Sequence, residues 1–116
     1  MPRERVLVVG AGIAGSVCAY WLAKHDFEVT VVERSKTEQT SGQGLEIEQP
    51  AVQVVEAMGI LDELRTHRTE ETGLQLVDSK AHTWGTFGAG PHSATGELEL
   101  MRGDLTEVLY LSLIHI

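Results

Sequence analysis

Cysteine is nearly missing from this chain. Cys18 stands alone among 116 residues, which excludes an internal disulfide framework, and no Cys/His spacing resembles a zinc site. Long apolar runs are missing too: no window approaches the roughly 18 uninterrupted apolar residues that a membrane helix needs. Arg3 and Arg5 precede the apolar Val6 to Val9, but Glu4 interrupts the basic stretch and Gly10 breaks the run before it reaches signal-peptide length. Basic clusters are also lacking, with 9 Lys and Arg against 17 Asp and Glu, so contact with nucleic-acid phosphates is not expected. These absences point to a soluble, cytoplasmic protein with neither a membrane nor a nucleic acid as partner. With 42% hydrophobic residues, the chain has enough apolar material to build a core.

The residues present alternate between strand and helix patterns. Arg5 to Val9 is a short, β-branched apolar run ended by Gly10, which predicts a strand buried on both faces in mid-sheet. Ile13, Val17, Tyr20, Trp21 and Ala23 recur at helical spacing and predict a helix from Ile13 to Lys24. Glu28 to Val32 predicts a second strand, completing a βαβ unit of the usual length with a parallel pair. A long polar connection, 34–44, and a short extended piece, 45–47, follow.

Pro50 suits the first turn of a helix striped by Ala51, Val54, Val55 and Met58, and Gly59 suits its left-handed cap. Ile60, Leu61 and Leu64 extend the stripe into a second helical segment. Residues 74–78 and 83–87 read as a hairpin turning at Ser79 and Lys80. After the glycine, proline and serine loop 88–96, a strand at 98–101 leads to a helix near Asp104, where Asp104 and Glu107 have N-cap and N3 spacing.

Between the first strand and the first helix lies Gly10-Ala11-Gly12-Ile13-Ala14-Gly15, a GxGxxG pattern in its required context. Gly10 permits the tight turn, Gly12 lets backbone approach a pyrophosphate, and Gly15 lets the helix pack closely on the strand. The amides of the helix start, including those of Ile13 and Ala14, offer N–H groups and partial positive charge to phosphates. Glu33 ends the second strand, where a carboxylate can accept hydrogen bonds from both ribose hydroxyls and would repel a 2′-phosphate. Arg34, next in sequence, is a candidate for the adenine or ribose edge, with NADP phosphate contact and plain surface exposure as the other readings. Cys18, in mid-helix, reads as packing rather than redox chemistry. His25, His67, His82 and His92 receive no function.

At this point the residues carry a family resemblance. Val6 to Gly15 followed by Val29-Thr30-Val31-Val32-Glu33-Arg34 resembles the opening of the para-hydroxybenzoate-hydroxylase-like, group A FAD-dependent monooxygenases. Gly42-Gln43-Gly44-Leu45-Glu46-Ile47 is similar to the family's glycine-containing segment, and 51–64, with Met58-Gly59-Ile60-Leu61-Asp62, to its next helix. Arg102-Gly103-Asp104-Leu105, with Leu109 one turn on, is similar to its Arg-x-x-Leu-x-x-x-Leu pattern. The resemblance implies an α/β, Rossmann-like FAD/NAD(P)-binding domain, with a βαβ start and a small β-hairpin insertion. It implies that Arg102 places its guanidinium on phosphate or ribose oxygens of FAD, that Leu105 and Leu109 are core, and that Gly44 and Glu46 lie near the flavin and ribityl chain. For Gly44 and Glu46, a turn and a solvent-facing charge are equally open readings.

The implied activity is hydroxylation of an aromatic or polyketide-like small molecule with NAD(P)H and oxygen. The sequence has no Asp-Gly pair, and its Gly103-Asp104 belongs to the arginine pattern rather than to the family's later Gly-Asp motif, so the resemblance implies a truncated domain that is inactive alone. No catalytic side chain is assigned, because the flavin carries the chemistry. Alternatives are a NAD(P)-linked dehydrogenase or reductase, another FAD oxidoreductase, or an inactive fragment. The last six residues, Leu111-Ser112-Leu113-Ile114-His115-Ile116, are the in-frame reading of the transposase end sequence used in sequencing libraries, CTGTCTCTTATACACATC. The expectation is therefore a partial FAD-binding domain over 1–110 followed by an adaptor scar over 111–116.

Overall fold

The computed structural model describes residues 1–35, 42–69, 72–88 and 98–114. They form two compact units: Met1–Gly42 with Arg102–Ile116, and Gln43–Met101.

The first unit opens with β1 (Arg5–Val9), α1 (Ile13–Lys24) and β2 (Glu28–Val32), as the sequence predicts. β1 and β2 pair in parallel from Arg5↔Glu28 to Val9↔Val32. Period-two side-chain alternation places Val6, Val8, Val29 and Val31 on one half-buried face and Leu7, Val9 and Val32 on the other. α1 packs on both strands and against α4 (Arg102–Ile114). The expectation that β1 is buried on both faces fails: Leu7 is 62% exposed and Val9 78%. A continuous apolar run shows what a strand is able to bury, and among the described residues no element covers this second face.

Ser16, Ala19 and Tyr20 form the most buried face of α1, at i, i+3 and i+4. Ile13, Val17, Trp21 and Ala23, which sequence periodicity selects, are half-buried. Leu105 and Leu109 are buried as expected, together with Val108, so α4 presents a continuous apolar stripe. The start of this helix differs from expectation. It begins at Arg102, directly after the preceding strand, so Asp104 sits inside the first turn rather than at the N-cap. There its charge complements the positive helix end.

The second unit contains β3 (Gly44–Ile47), α2 (Ala51–Ala57), α3 (Leu61–Thr66), β4 (Gly73–Val77), β5 (Thr83–Gly88) and β6 (Leu98–Met101). β3 and β6 pair antiparallel, Gly44↔Met101 to Ile47↔Leu98, and contribute Ile47, Leu98 and Leu100 to a core with Val55, Met58, Ile60, Leu61 and Leu64. Burying a leucine such as Leu64 or Leu100 stabilises by about 1.5–3 kcal/mol. Pro50 is the residue preceding α2, and Gly59 takes φ +77° after it, the left-handed cap expected.

β4 and β5 form the predicted hairpin, with a wider turn than Ser79-Lys80 alone. The Asp78 carboxylate organises it: one oxygen accepts the N–H groups of Lys80 at 2.8 Å and His82 at 2.9 Å. The other faces His82 Nδ1 at 3.0 Å and accepts Trp84 Nε1–H at 3.3 Å. These donors, His82 N–H foremost, hold the Asp78 carboxyl below its ordinary pKa.

Candidate functional site

The site begins where β1 runs out. Gly10 takes φ +102°, which L side chains rarely adopt, and its N–H donates to Val32 O at 2.7 Å. This bond ties the start of the loop to the end of β2, immediately before Glu33. From there the Glu33 carboxylate reaches back: Oε2 accepts the Ala11 N–H at 2.8 Å and Oε1 accepts the Ser35 N–H at 2.9 Å. The Ser35 and Ala11 amides hold its pKa below the ordinary carboxylate value, with a smaller contribution from Arg34. Glu33 is thus ionised at neutral pH. Each of its oxygens keeps acceptor capacity for a hydroxyl.

Gly12 is the N-cap of α1 in extended conformation, with φ −76° and ψ −165°. A Cβ placed on it meets nothing within 4 Å, so the space above the loop backbone is open to a ligand. The first intrahelical bond runs from Ser16 N–H to Gly12 O at 3.0 Å. The amides of Ile13, Ala14 and Gly15 precede it and have no intrahelical acceptor. No side chain caps this end, and no acidic residue occupies its first turn. Exposed amides, the helix dipole and an open backbone together make an anion cradle that fits a pyrophosphate.

Gly15 is fixed by a different contact. A Cβ on it would collide with Gly10 O, lie 2.9 Å from Gly10 C and approach Val8 Cγ1 at 3.6 Å. The helix therefore crosses the loop and strand at a distance only glycine allows, as its sequence position suggests.

Ser16 was not singled out by sequence reasoning. It is buried, and its Oγ donates to Ala11 O at 3.3 Å, so both backbone polar groups of Ala11 are anchored, one by Ser16 and one by Glu33. A small polar residue directly after the third glycine was the available signal.

The remaining candidates divide between the units. Arg34 is exposed beside Glu33. Arg102 is the first residue of α4 and exposed, and its guanidinium makes no ion pair among the described residues. Gly44 lies in β3 of the second unit, where a Cβ would fall 2.7 Å from Glu99 Oε1. Glu46 is exposed on β3 and stands opposite Glu99 in the strand register. Cys18 is exposed rather than packed. Among the described residues no group of His, Cys, Asp or Glu is arranged to hold a metal ion, and no helix is long and apolar enough to cross a membrane.

A glycine-cornered strand-to-helix turn, with a carboxylate from the second parallel strand bound to it, defines a dinucleotide-binding βαβ site. The particular class follows from comparison with known proteins. The family described as "FAD binding domain" matches residues 3–109, and the chain belongs to that family. It is 41% identical over 115 residues to the flavin-dependent monooxygenase eupH of Phoma sp, covering 95% of this chain and 27% of that protein. It is 43% identical over 112 residues to monooxygenase CTB7 of Cercospora beticola, covering 91% of this chain and 26% of that protein. The chain thus spans about a quarter of the length of these curated relatives.

Among solved structures, tetracycline destructase Tet(55) matches with a TM-score of 0.81 and 31% identity, over 100% of this chain and 29% of that one. CtdE in complex with FAD matches in fold, with a TM-score of 0.81 at 16% identity, over 98% of this chain and 28% of its own. The family assignment makes FAD the cofactor and disfavours the NAD(P)-linked dehydrogenase reading.

Proposed function

We propose that this chain supplies the adenosine and pyrophosphate half of the FAD site in a flavin-dependent monooxygenase. The enzyme hydroxylates an aromatic or polyketide-like small molecule in the cytoplasm. The observation that carries the reading is the Glu33 carboxylate bound to the Ala11 amide, because it brings the ribose acceptor and the phosphate cradle onto one loop.

In this reading Gly10, Gly12 and Gly15 shape the turn, and the amides of Ile13 and Ala14 donate to the pyrophosphate. Glu33 accepts the ribose hydroxyls and Arg34 flanks the adenosine. Arg102 donates to phosphate or ribose oxygens, as a planar guanidinium does well, and Gly44 borders the ribityl side. Bound FAD, reduced by NAD(P)H, supplies the oxygen chemistry, while the residues of this chain bind and orient it. The similarity to eupH and CTB7 supports the monooxygenase reading.

The test is to purify the completed, full-length protein, dialyse it and record its absorbance. Retained flavin, released as FAD on denaturation, is expected. A colourless protein that keeps NAD but never FAD would overturn the reading.

The boundary at Tyr110 is part of the same proposal. The family match ends at residue 109, while α4 runs on to Ile114 with Ser112 Oγ donating to Leu109 O at 2.6 Å. An apolar Leu-Ser-Leu-Ile segment extends a helix whatever its origin. Genomic sequence that departs from the chain after Tyr110 is expected; sequence that encodes 111–116 in place would overturn the adaptor assignment.

A further inference from the structure

Gly42 ends the first stretch of the first unit, and Arg102 begins the second. The two meet. A Cβ built on Gly42 would lie 2.8 Å from Arg102 Cβ, 3.3 Å from its Cδ and 3.4 Å from its Cγ. The aliphatic stem of the arginine therefore rests on the bare Cα of Gly42 along most of its length. Gly42 is outside the left-handed region, so its backbone accepts an L side chain without strain, and the three atoms nearest an added methyl group all belong to Arg102.

The obstruction is not the free end of a flexible chain. Arg102 Cβ is fixed to the first residue of α4, so it cannot swing aside, and the contacts at Cγ and Cδ follow the stem towards the guanidinium. Three successive contacts aim a long side chain whose head makes no ion pair among the described residues. Such a seat limits the rotamers that an exposed arginine would otherwise sample and lowers the entropy lost when it binds.

We propose that Gly42 is a positioning residue for Arg102: it holds the arginine stem so that the guanidinium is aimed before FAD arrives. The proposal rests on the reading of Arg102 as an FAD contact and adds to it the residue that sets its direction. Gly42 acts through Arg102 and touches neither flavin nor substrate.

The experiment is a double-mutant cycle in the full-length enzyme that carries this segment, read as FAD dissociation constants from flavin fluorescence quenching on apoprotein, with melting temperature recorded for each variant. Arg102→Ala is expected to weaken FAD binding about tenfold or more, the usual scale for losing a charge-assisted hydrogen bond. Gly42→Ala is expected to cause a comparable loss in the parent, yet less than about a twofold change when added to Arg102→Gly, where neither the Cβ that the new methyl meets first nor a guanidinium to misdirect remains.

An equal loss from Gly42→Ala in both backgrounds would mean general distortion and would overturn the proposal. So would Gly42→Ala binding FAD like the parent while Arg102→Ala does not. If Arg102→Ala itself leaves FAD binding unchanged, the underlying reading of Arg102 fails and takes the proposal with it, an outcome distinct from the other two. Should Gly42→Ala prove insoluble, adding Arg102→Gly removes the three atoms nearest the new methyl. That double variant should recover the folding of Arg102→Gly alone, and failure to do so would overturn the contact.

Discussion

Gly12 and Gly15 serve the same loop, yet adding one methyl group to each should give opposite phenotypes. In Gly15→Ala the methyl collides with Gly10 O and sits 2.9 Å from Gly10 C, both belonging to a peptide that Gly10 holds at φ +102°. Neither atom can rotate away, so α1 must lift off β1 or the turn must reopen. Overpacking a filled interior costs about 1–3 kcal/mol, and a backbone obstruction puts this case near about 3 kcal/mol. For a domain of this size that lowers the melting temperature by on the order of 10 °C or more.

In Gly12→Ala the methyl meets nothing within 4 Å and the backbone angles suit an L residue. Lost chain entropy in the unfolded state and the poorer N-cap roughly cancel, so stability should stay within about 1 kcal/mol of the parent. In the proposed site the same methyl stands where backbone approaches the pyrophosphate, and FAD affinity should fall at least about tenfold, or about 1.4 kcal/mol. Urea unfolding of the FAD-free protein and flavin titration separate the two quantities. A Gly15→Ala protein within about 1 kcal/mol of the parent, or a Gly12→Ala protein that is the less stable of the pair, would refute the steric reasoning.

Two further outcomes follow from the structure. Because Glu33 titrates below its ordinary value of 4.5 when folded, its contribution to stability is present above that pH and disappears as the pH falls through the lowered folded value. Glu33→Gln should therefore be less stable than the parent at neutral pH and converge with it in acid, and parallel denaturation midpoints across the range would contradict this. Leu64 is 0% exposed, so Leu64→Ala should cost about 2–5 kcal/mol by urea denaturation. By contrast Leu7→Ala, at 62% exposure, should change stability by less than about 0.5 kcal/mol.

The parts of the site that were legible in sequence are those written in backbone chemistry. Gly10, Gly12 and Gly15 announce a turn, an open approach and a close packing contact, and the structure assigns each its own geometry. Glu33 was legible because a parallel βαβ unit returns the end of β2 beside the end of β1. What escaped depends on contacts between residues far apart in the chain or on which neighbours are present. Nothing in the local pattern around Gly42 says that Arg102 will lie on it. The alternation of half-buried and exposed residues along β1 depends on which faces are covered, which no five-residue run encodes. The hairpin was visible from its alternating strands, but its turn is set by one carboxylate gathering several donors, and Asp78 could equally have been a strand-end charge. The spacing of Asp104 and Glu107 matched a capping pattern two residues into a helix that had already begun.

The bond from Ala11 to Glu33 also bears on redesign of this site. With Glu33 proposed as the ribose acceptor, position 33 is the obvious place to change which nucleotide the loop accepts, since removing the charge there lifts the repulsion of a phosphorylated ribose. Here the same carboxylate is the acceptor for the Ala11 amide, so exchanging it for a basic or apolar residue also leaves a donor at the loop tip unanswered. A specificity swap at this residue therefore also releases the tie between the loop tip and the end of β2 unless it brings a replacement acceptor with it. A library that varies position 33 together with Arg34 and Ser35 has a route to one, which a single substitution lacks.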